Sequence, residues 1–370
     1  VQQYVKPSVT PGAHALDATW YTSADVYETE RERVFARDWM YVGREERLEN
    51  PGDYFLADVA GEDIIVLRDG SSAIRAFYNV CRHRGAQICS EAAGHLGGAL
   101  QCPYHAWTYA LDGALLAARN MAQVEGFDRA RFPLVPALVS LAGGFIFVSL
   151  ADAEEAPDPP LGPLHDKLER WGIAGLRETR RIDYDVAANW KLIVQNYSEC
   201  YHCPLVHPQL EKLSPSDSGR NDFPHGPILG GYSDLRQNGA GLTTSGLRAW
   251  PPIGSVDGPD VDRSYYYSVF PSMLLSLHAD YVMVHRLHAT EAGRTQIECA
   301  WLVDPNTAAA PDFDASQVVD FWDLTNRQDW RVNELTQRGM GSRAYRPGPY
   351  SNAEGLLQAF DRYYVDRMEA

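Results

Sequence analysis

Residues 81–105 read CRHRGAQICSEAAGHLGGALQCPYH, and the Cys-His pair at each end decides how the rest of the chain is read. Cys81 and His83 form one pair and Cys102 and His105 the other, with eighteen residues between His83 and Cys102. Two thiolates can hold one iron of a 2Fe–2S cluster and two neutral imidazoles the other. Such a cluster has a higher potential than an all-cysteine one. Gly85, Gly94, Gly97 and Gly98 supply tight bends near these loops. Pro103 fits a rigid turn between Cys102 and His105. The same four donors also suit a single zinc ion, which is the alternative metal reading.

A second set of donors lies downstream. His202 and His207 are five residues apart with Pro204 between them, so the helix that carries them must be interrupted. This is not the one-turn pair of a zinc-protease helix. One carboxylate would complete a set of two histidines and one acid, which leaves open positions on iron for dioxygen. Asp320, Asp323 and Asp329 all stand on a late helical stretch, and spacing alone does not choose among them.

C-R-H-R-G followed by C-P-Y-H-A-W, with NWKLIVQNYSECYHCPLVH at 189–207, resembles the Rieske non-heme iron aromatic-ring-hydroxylating oxygenase family. The resemblance extends over nearly the whole chain and is nearest to the alpha subunits acting on quaternary ammonium compounds. The gap between the Cys-His pairs is slightly longer than the commonest one in the family. The resemblance implies a Rieske cluster on Cys81, His83, Cys102 and His105. It implies a mononuclear Fe(II) on His202, His207 and Asp329, with Asp323 the runner-up. Asn196 would stand near that iron. Glu199 would bridge His202 to His105 of a neighbouring subunit, coupling two metal centres across a homotrimer. A Glu rather than an Asp at this position suits the ammonium-oxidising members.

The implied reaction is monooxygenation or N-demethylation of a small quaternary ammonium or N-methyl compound, with dioxygen as co-substrate. NAD(P)H electrons would arrive from a separate flavin reductase, directly or through a ferredoxin. The chain has neither a strand-linked GxGxxG nor a plant-type ferredoxin cysteine series, in keeping with such a partner. Tyr197, Tyr232, Trp250, Tyr267, Phe270 and His285 are candidate walls of an aromatic pocket for a methylammonium group. The competing readings are hydroxylation of an aromatic or other apolar substrate, and an electron-transfer or regulatory Rieske protein with an inactive second domain.

Composition agrees with a globular protein. The 370 residues are 45% hydrophobic, enough for two unequal domains with cores of their own. The formal charge of −16 argues against general nucleic-acid or anionic-membrane binding. No apolar run reaches membrane-spanning length and the start lacks a signal-peptide pattern, so a cytoplasmic protein is expected. Cys200 and Cys203 form a CxxC, expected as reduced thiols in that compartment.

The fold class expected is α+β. Residues 1–41 would form an arm and a helix, capped by Ser23 and running to about Arg37, that packs on the catalytic domain. Residues 42–156 would form a small all-β Rieske domain, because YFLADVA, DIIVLRD, AIRAFYNV and GGFIFVSL are short β-rich runs between turns. Residues 157–370 would hold an antiparallel sheet flanked by helices. Within it, 210–262 reads as an irregular pocket wall, 314–339 as a long helix and 351–368 as a final helix.

Overall fold

A computed structural model describes residues 4–370 and divides the chain into two compact units. One runs from Phe35 to Pro159. The other joins the segment before it, up to Val34, to Pro160–Ala370. Among the described residues no helix is long and apolar enough to cross a membrane.

The Phe35–Pro159 unit is a seven-stranded antiparallel sheet with a three-stranded sheet beside it. Glu62–Arg68 pairs with Asp53–Val59 on one side and Ile74–Tyr78 on the other, and four consecutive residues, Ile64 to Leu67, are fully buried. The small sheet, Ala99–Gln101, Thr108–Ala110 and Leu115–Ala117, brackets the second Cys-His pair. Cys81 and Cys102 belong to the same buried cluster as Ile65, Leu67, Phe77 and Trp107, so the proposed ligand loops are rooted in the core.

The second unit is built on one antiparallel sheet in the order Arg177–Val186, Arg294–Val303, Val282–Glu291, Met273–Leu277, Arg263–Val269, Ile228–Asp234, Arg220–Phe223. The last two strands correct the expectation of an irregular 210–262. Gly230 and Gly231 hid them, because glycine is a poor strand signal. Here glycine is required: a Cβ on Gly230 would lie 2.0 Å from Tyr266 O, and one on Gly231 2.0 Å from Arg220 O. Ser23 caps the first long helix as expected, accepting from Val26 N at 3.4 Å. The α-helical turns end at Glu30, and Arg31–Phe35 widens into a π-turn instead of continuing to Arg37.

The helix Trp190–Tyr197 lies against the 25-residue helix Ser316–Met340. Asn189 caps it, accepting from Lys191 N at 2.9 Å. Lys191 is completely buried and pairs with Glu30, which also accepts from Trp190 Nε1 at 3.1 Å and Tyr364 Oη at 2.6 Å. Further along, Gln195 Nε2 donates to Asp361 Oδ1 at 2.7 Å, and Tyr350 Oη donates to Asp361 Oδ2 at 2.6 Å.

Burial pushes Asp361 up to about 6, against hydrogen bonds from Tyr350 and Gln195 and the charge of Lys191. An unfolded Asp titrates near about 3.9. The native state therefore binds more protons between these values, and this group's contribution to stability falls as pH rises from about 4 to about 6. Asp361→Asn removes that slope. Urea denaturation should show the wild type losing about 2 kcal/mol relative to the variant between pH 4.5 and pH 7. A difference that does not change with pH would refute the assignment.

Candidate metal centres and substrate cavity

The two Cys-His loops share one backbone pattern. Cys81 N donates to Ala86 O at 2.8 Å and Gly85 N to Cys81 O at 3.0 Å; Cys102 N donates to Trp107 O at 2.8 Å and Ala106 N to Cys102 O at 3.1 Å. The fourth residue after each cysteine has positive φ, 76° at Gly85 and 57° at Ala106. The chain thus accepts a strained alanine to make the second loop match the first.

Both cysteines are buried and their side chains interact, while the His83 and His105 rings meet edge to face with centroids 4.7 Å apart. Trp107 stacks on His83 at 4.8 Å and 7°, and Tyr109 Oη lies 3.3 Å from Cys81 Sγ while accepting from Arg82 N at 3.0 Å. These two aromatic side chains pack in the buried cluster and also fix the ligand loops. His83 Nδ1 is buried with no hydrogen-bond partner, the condition of a nitrogen placed to ligate a metal. Paired sulfurs, paired imidazoles and this orphaned nitrogen fit a cluster.

His202, His207 and Asp329 meet with their ligand atoms all within 4.8 Å of one another. His207 Nε2 lies 2.8 Å from Asp329 Oδ1, His202 Nε2 3.3 Å from the same oxygen, and the two Nε2 atoms 3.2 Å apart. Two ligands about 2.1 Å from one ion and at right angles stand about 3.0 Å apart. The donors have this spacing and can share a single ion on one face. Of the three late aspartates only Asp329 reaches this point; Asp323 pairs with Arg327 at 2.9 Å and Tyr184 at 2.8 Å, and Asp320 is exposed.

The far nitrogen of each imidazole is held. His202 Nδ1 donates to Glu199 Oε1 at 2.6 Å, and His207 Nδ1 to Gln328 Oε1 at 2.8 Å. Glu199 Oε2 also accepts from Tyr201 N, which folds the loop around the acid. Asn196 Nδ2 lies 3.4 Å from His202 Nε2, near the donor set. Burial works against protonating His202, but the Asp329 and Glu199 carboxylates outweigh it and lift the ring to about 10. Burial pushes Asp329 up, and its hydrogen bonds to His202 and His207 win and hold it below its usual range. The site demands positive charge, and a divalent cation meets that demand with three bonds.

Contrary to the expectation of free thiols, Cys200 and Cys203 form a disulfide. With three residues of separation and Cα atoms 4.9 Å apart, the bent loop brings the two sulfurs together.

A cavity of about 500 Å³ opens beside the triad. Tyr197, Tyr232 and His285 line it, and Tyr197 Oη is held by Ser276 Oγ at 2.8 Å. Trp250, Tyr267 and Phe270 do not line it, which corrects half of the proposed aromatic wall. Tyr267 and Tyr266 are neighbours on a strand and point to opposite faces. Tyr266 therefore enters the cavity, while Tyr267 bonds Asp222 at 3.1 Å. Phe270 packs on Trp190 and Tyr363, and Trp250 stacks on Phe313.

Residues 38–128 match the family model of the Rieske 2Fe–2S domain, and residues 173–370 that of the ring hydroxylating alpha subunit catalytic domain. The chain belongs to the Rieske non-heme iron oxygenase alpha subunits. It is 31% identical to the glycine betaine monooxygenase oxygenase subunit of Chromohalobacter salexigens, over 96% of this chain and 86% of that one. It is 40% identical to the carnitine monooxygenase oxygenase subunit of Acinetobacter baumannii over 53% of each chain. The quaternary ammonium Rieske monooxygenase CntA in complex with L-carnitine superposes with a TM-score of 0.77 at 27% identity, covering 97% of this chain and 96% of that one. Naphthalene 1,2-dioxygenase from Rhodococcus, 20% identical with a TM-score of 0.76, shares the fold.

Two elements of this oxygenase's site escaped the sequence reading. Trp322, Thr325, Asn326 and Asp329 all line the cavity. Their spacing of three, four and seven is the signature of one helix face, so the ligand could have pointed to its neighbours. Gln328 carried no such signal, since it reaches His207 from beside the ligand and only the fold brings them together.

Removing an outer hydrogen bond from a ligating histidine weakens metal binding about 10–100-fold. Gln328→Leu should lower Fe(II) affinity by that factor with acid-labile sulfide unchanged, measured by metal titration of the protein freed of mononuclear iron. Unaltered affinity would exclude Gln328 as the orienting partner of His207.

Proposed function

We propose that this Rieske oxygenase inserts oxygen into a small quaternary ammonium or N-methyl compound, with electrons supplied by a separate flavin reductase. The observation that carries this reading is the cavity wall: the rings of Tyr197, Tyr232, Tyr266 and Trp322 line the space that holds the triad. Aromatic faces attract a methylated ammonium group that cannot donate hydrogen bonds. The similarity to the glycine betaine and carnitine monooxygenase subunits supports the same substrate class.

In this reading residues 42–156 are the Rieske domain, and residues 157–370 with the 1–41 arm and helix are the catalytic part. Cys81, His83, Cys102 and His105 hold the cluster, and His202, His207 and Asp329 hold mononuclear Fe(II). When bound, these centres supply single electrons and activate dioxygen. The protein's own tasks are positional. Glu199 and Gln328 present both Nε2 atoms to one point. Tyr197, fixed by Ser276, and Trp322 keep the methyl carbon near the triad and exclude water. Hydroxylation of an N-methyl carbon gives a hemiaminal, which collapses to formaldehyde and the demethylated amine.

Glu199 is also the proposed bridge to His105 of a second subunit in a homotrimer. Tyr201 on the loop after Glu199 and Leu205 on the short helix Cys203–Val206, 67% and 89% exposed, are surface of the kind another subunit would cover. Glu199→Gln should retain both metals yet slow reduction of the mononuclear centre at least about tenfold in stopped-flow single turnover. Wild-type transfer rates in that variant would remove the bridge.

The substrate class is tested with iron-replete enzyme, a competent reductase, NADH and a panel of ammonium and aromatic compounds. Oxygen uptake coupled to formaldehyde and a mass-identified demethylated amine is the expected outcome. Oxygen incorporated into an aromatic compound while every ammonium compound fails would overturn the proposal.

A further inference from the structure

The N-terminal arm forms part of the cavity wall. Val5 N donates to Asn221 O and Asn221 N to Val5 O, each at 2.7 Å, so the arm pairs with the edge strand Arg220–Phe223. The other side of the arm meets the start of the last helix, where a Cβ on Gly355 would lie 2.3 Å from Pro7 O. Held at both points, the arm places Lys6 and Pro7 in the cavity lining.

Lys6 is the one Lys or Arg among the described residues that line this cavity; Glu199, Asp217 and Asp329 are its acids. Asp329 and Glu199 are engaged at the two histidines, as described above. Lys6 Nζ donates to the backbone Asp217 O at 2.7 Å. An ammonium group has three donors, so this bond aims Lys6 and leaves two for a ligand.

We propose that Lys6 recognises a carboxylate, and that the substrate is a zwitterion with its N-methyl group beside the triad and its carboxylate at the arm. This rests on the ammonium reading above and adds the second functional group. A carboxylate that leaves water for a cavity already lined by acids needs a charged donor, and Lys6 supplies it. In the same cavity the rings of Tyr197, Tyr266 and Trp322 receive the methylated nitrogen. A choline-like alcohol offers Lys6 no charge to hold. The carboxylate is remote from the reacting carbon, so its contact with Lys6 is equal in ground and transition states and is expressed in KM rather than kcat.

The test is steady-state and equilibrium binding of glycine betaine, carnitine and choline by iron-loaded, full-length wild type, Lys6→Gln and Lys6→Arg. Because Lys6 is exposed to solvent, the expected effect is moderate. Lys6→Gln should raise KM and Kd for a carboxylate-bearing compound about three- to tenfold relative to choline, and Lys6→Arg should restore much of the loss. The difference between compounds should shrink as salt is added. Equal weakening of betaine and choline, or no weakening of either, overturns the assignment to Lys6 and leaves the ammonium reading standing. A wild type that binds and turns over no ammonium compound overturns both.

Discussion

Two imidazoles and a carboxylate stand between 2.8 and 3.3 Å apart, and the catalytic unit is arranged around keeping them there. They come from backbone of two kinds. Asp329 sits on a 25-residue helix, whose regular backbone fixes its position. His202 and His207 sit where helical structure breaks. The helix Trp190–Tyr197 ends, a loop follows, Cys203–Val206 makes a short turn, and Pro208 starts the next helix. A regular helix would put residues five apart on different faces. The break turns both rings toward Asp329, and Glu199 and Gln328 fix each ring from behind.

That arrangement needs a foundation that does not yield, and the foundation is polar. Lys191 and Glu30 are both fully buried and paired. Removing one partner of such a pair leaves an uncompensated charge and costs about 3–5 kcal/mol. An apolar pair would hold the helix as well by area, but would not set its rotation. Glu30 accepts from Lys191, Trp190 and Tyr364, so three directions are specified at once. One consequence reaches the site: the helix face that turns Lys191 and Gln195 inward turns Asn196 and Tyr197 toward the cavity. The network ties the first long helix and the last helix to the one that precedes the iron ligands.

Legibility in the sequence followed the range of the interaction. Cys81, His83, Cys102 and His105 lie within 25 residues, and His202 and His207 within six, so local chemistry exposed them. Asp329 is 122 residues from His207, and three aspartates competed until family resemblance separated them. The strand Ile228–Asp234 was missed because close backbone approach demands glycine where propensity asks for β-branched residues. Tyr267 was misplaced because residue type was weighed without strand parity. In the run Tyr265-Tyr266-Tyr267 only the middle ring enters the cavity, and the choice is made by the pleat. The Cys200–Cys203 disulfide was set aside on compartment, although the loop's curvature, invisible in composition, is what brings the sulfurs together.

The two metal centres ask opposite things of the backbone, and their ligand spacing follows. A cluster that passes single electrons should change little between redox states. Its loops are accordingly short, duplicated in their hydrogen bonds, and rooted in apolar core, even at the cost of a positive φ at Ala106. The thiols are buried while His83 and His105 are only half-buried, so the imidazole side is the accessible one. The mononuclear site must instead leave room for dioxygen and substrate. It uses three donors beside a cavity that aromatic strand residues and the N-terminal arm also line. A fourth protein donor would close the space in which the chemistry occurs. The broken helix that carries the two histidines therefore supplies their position without surrounding the ion.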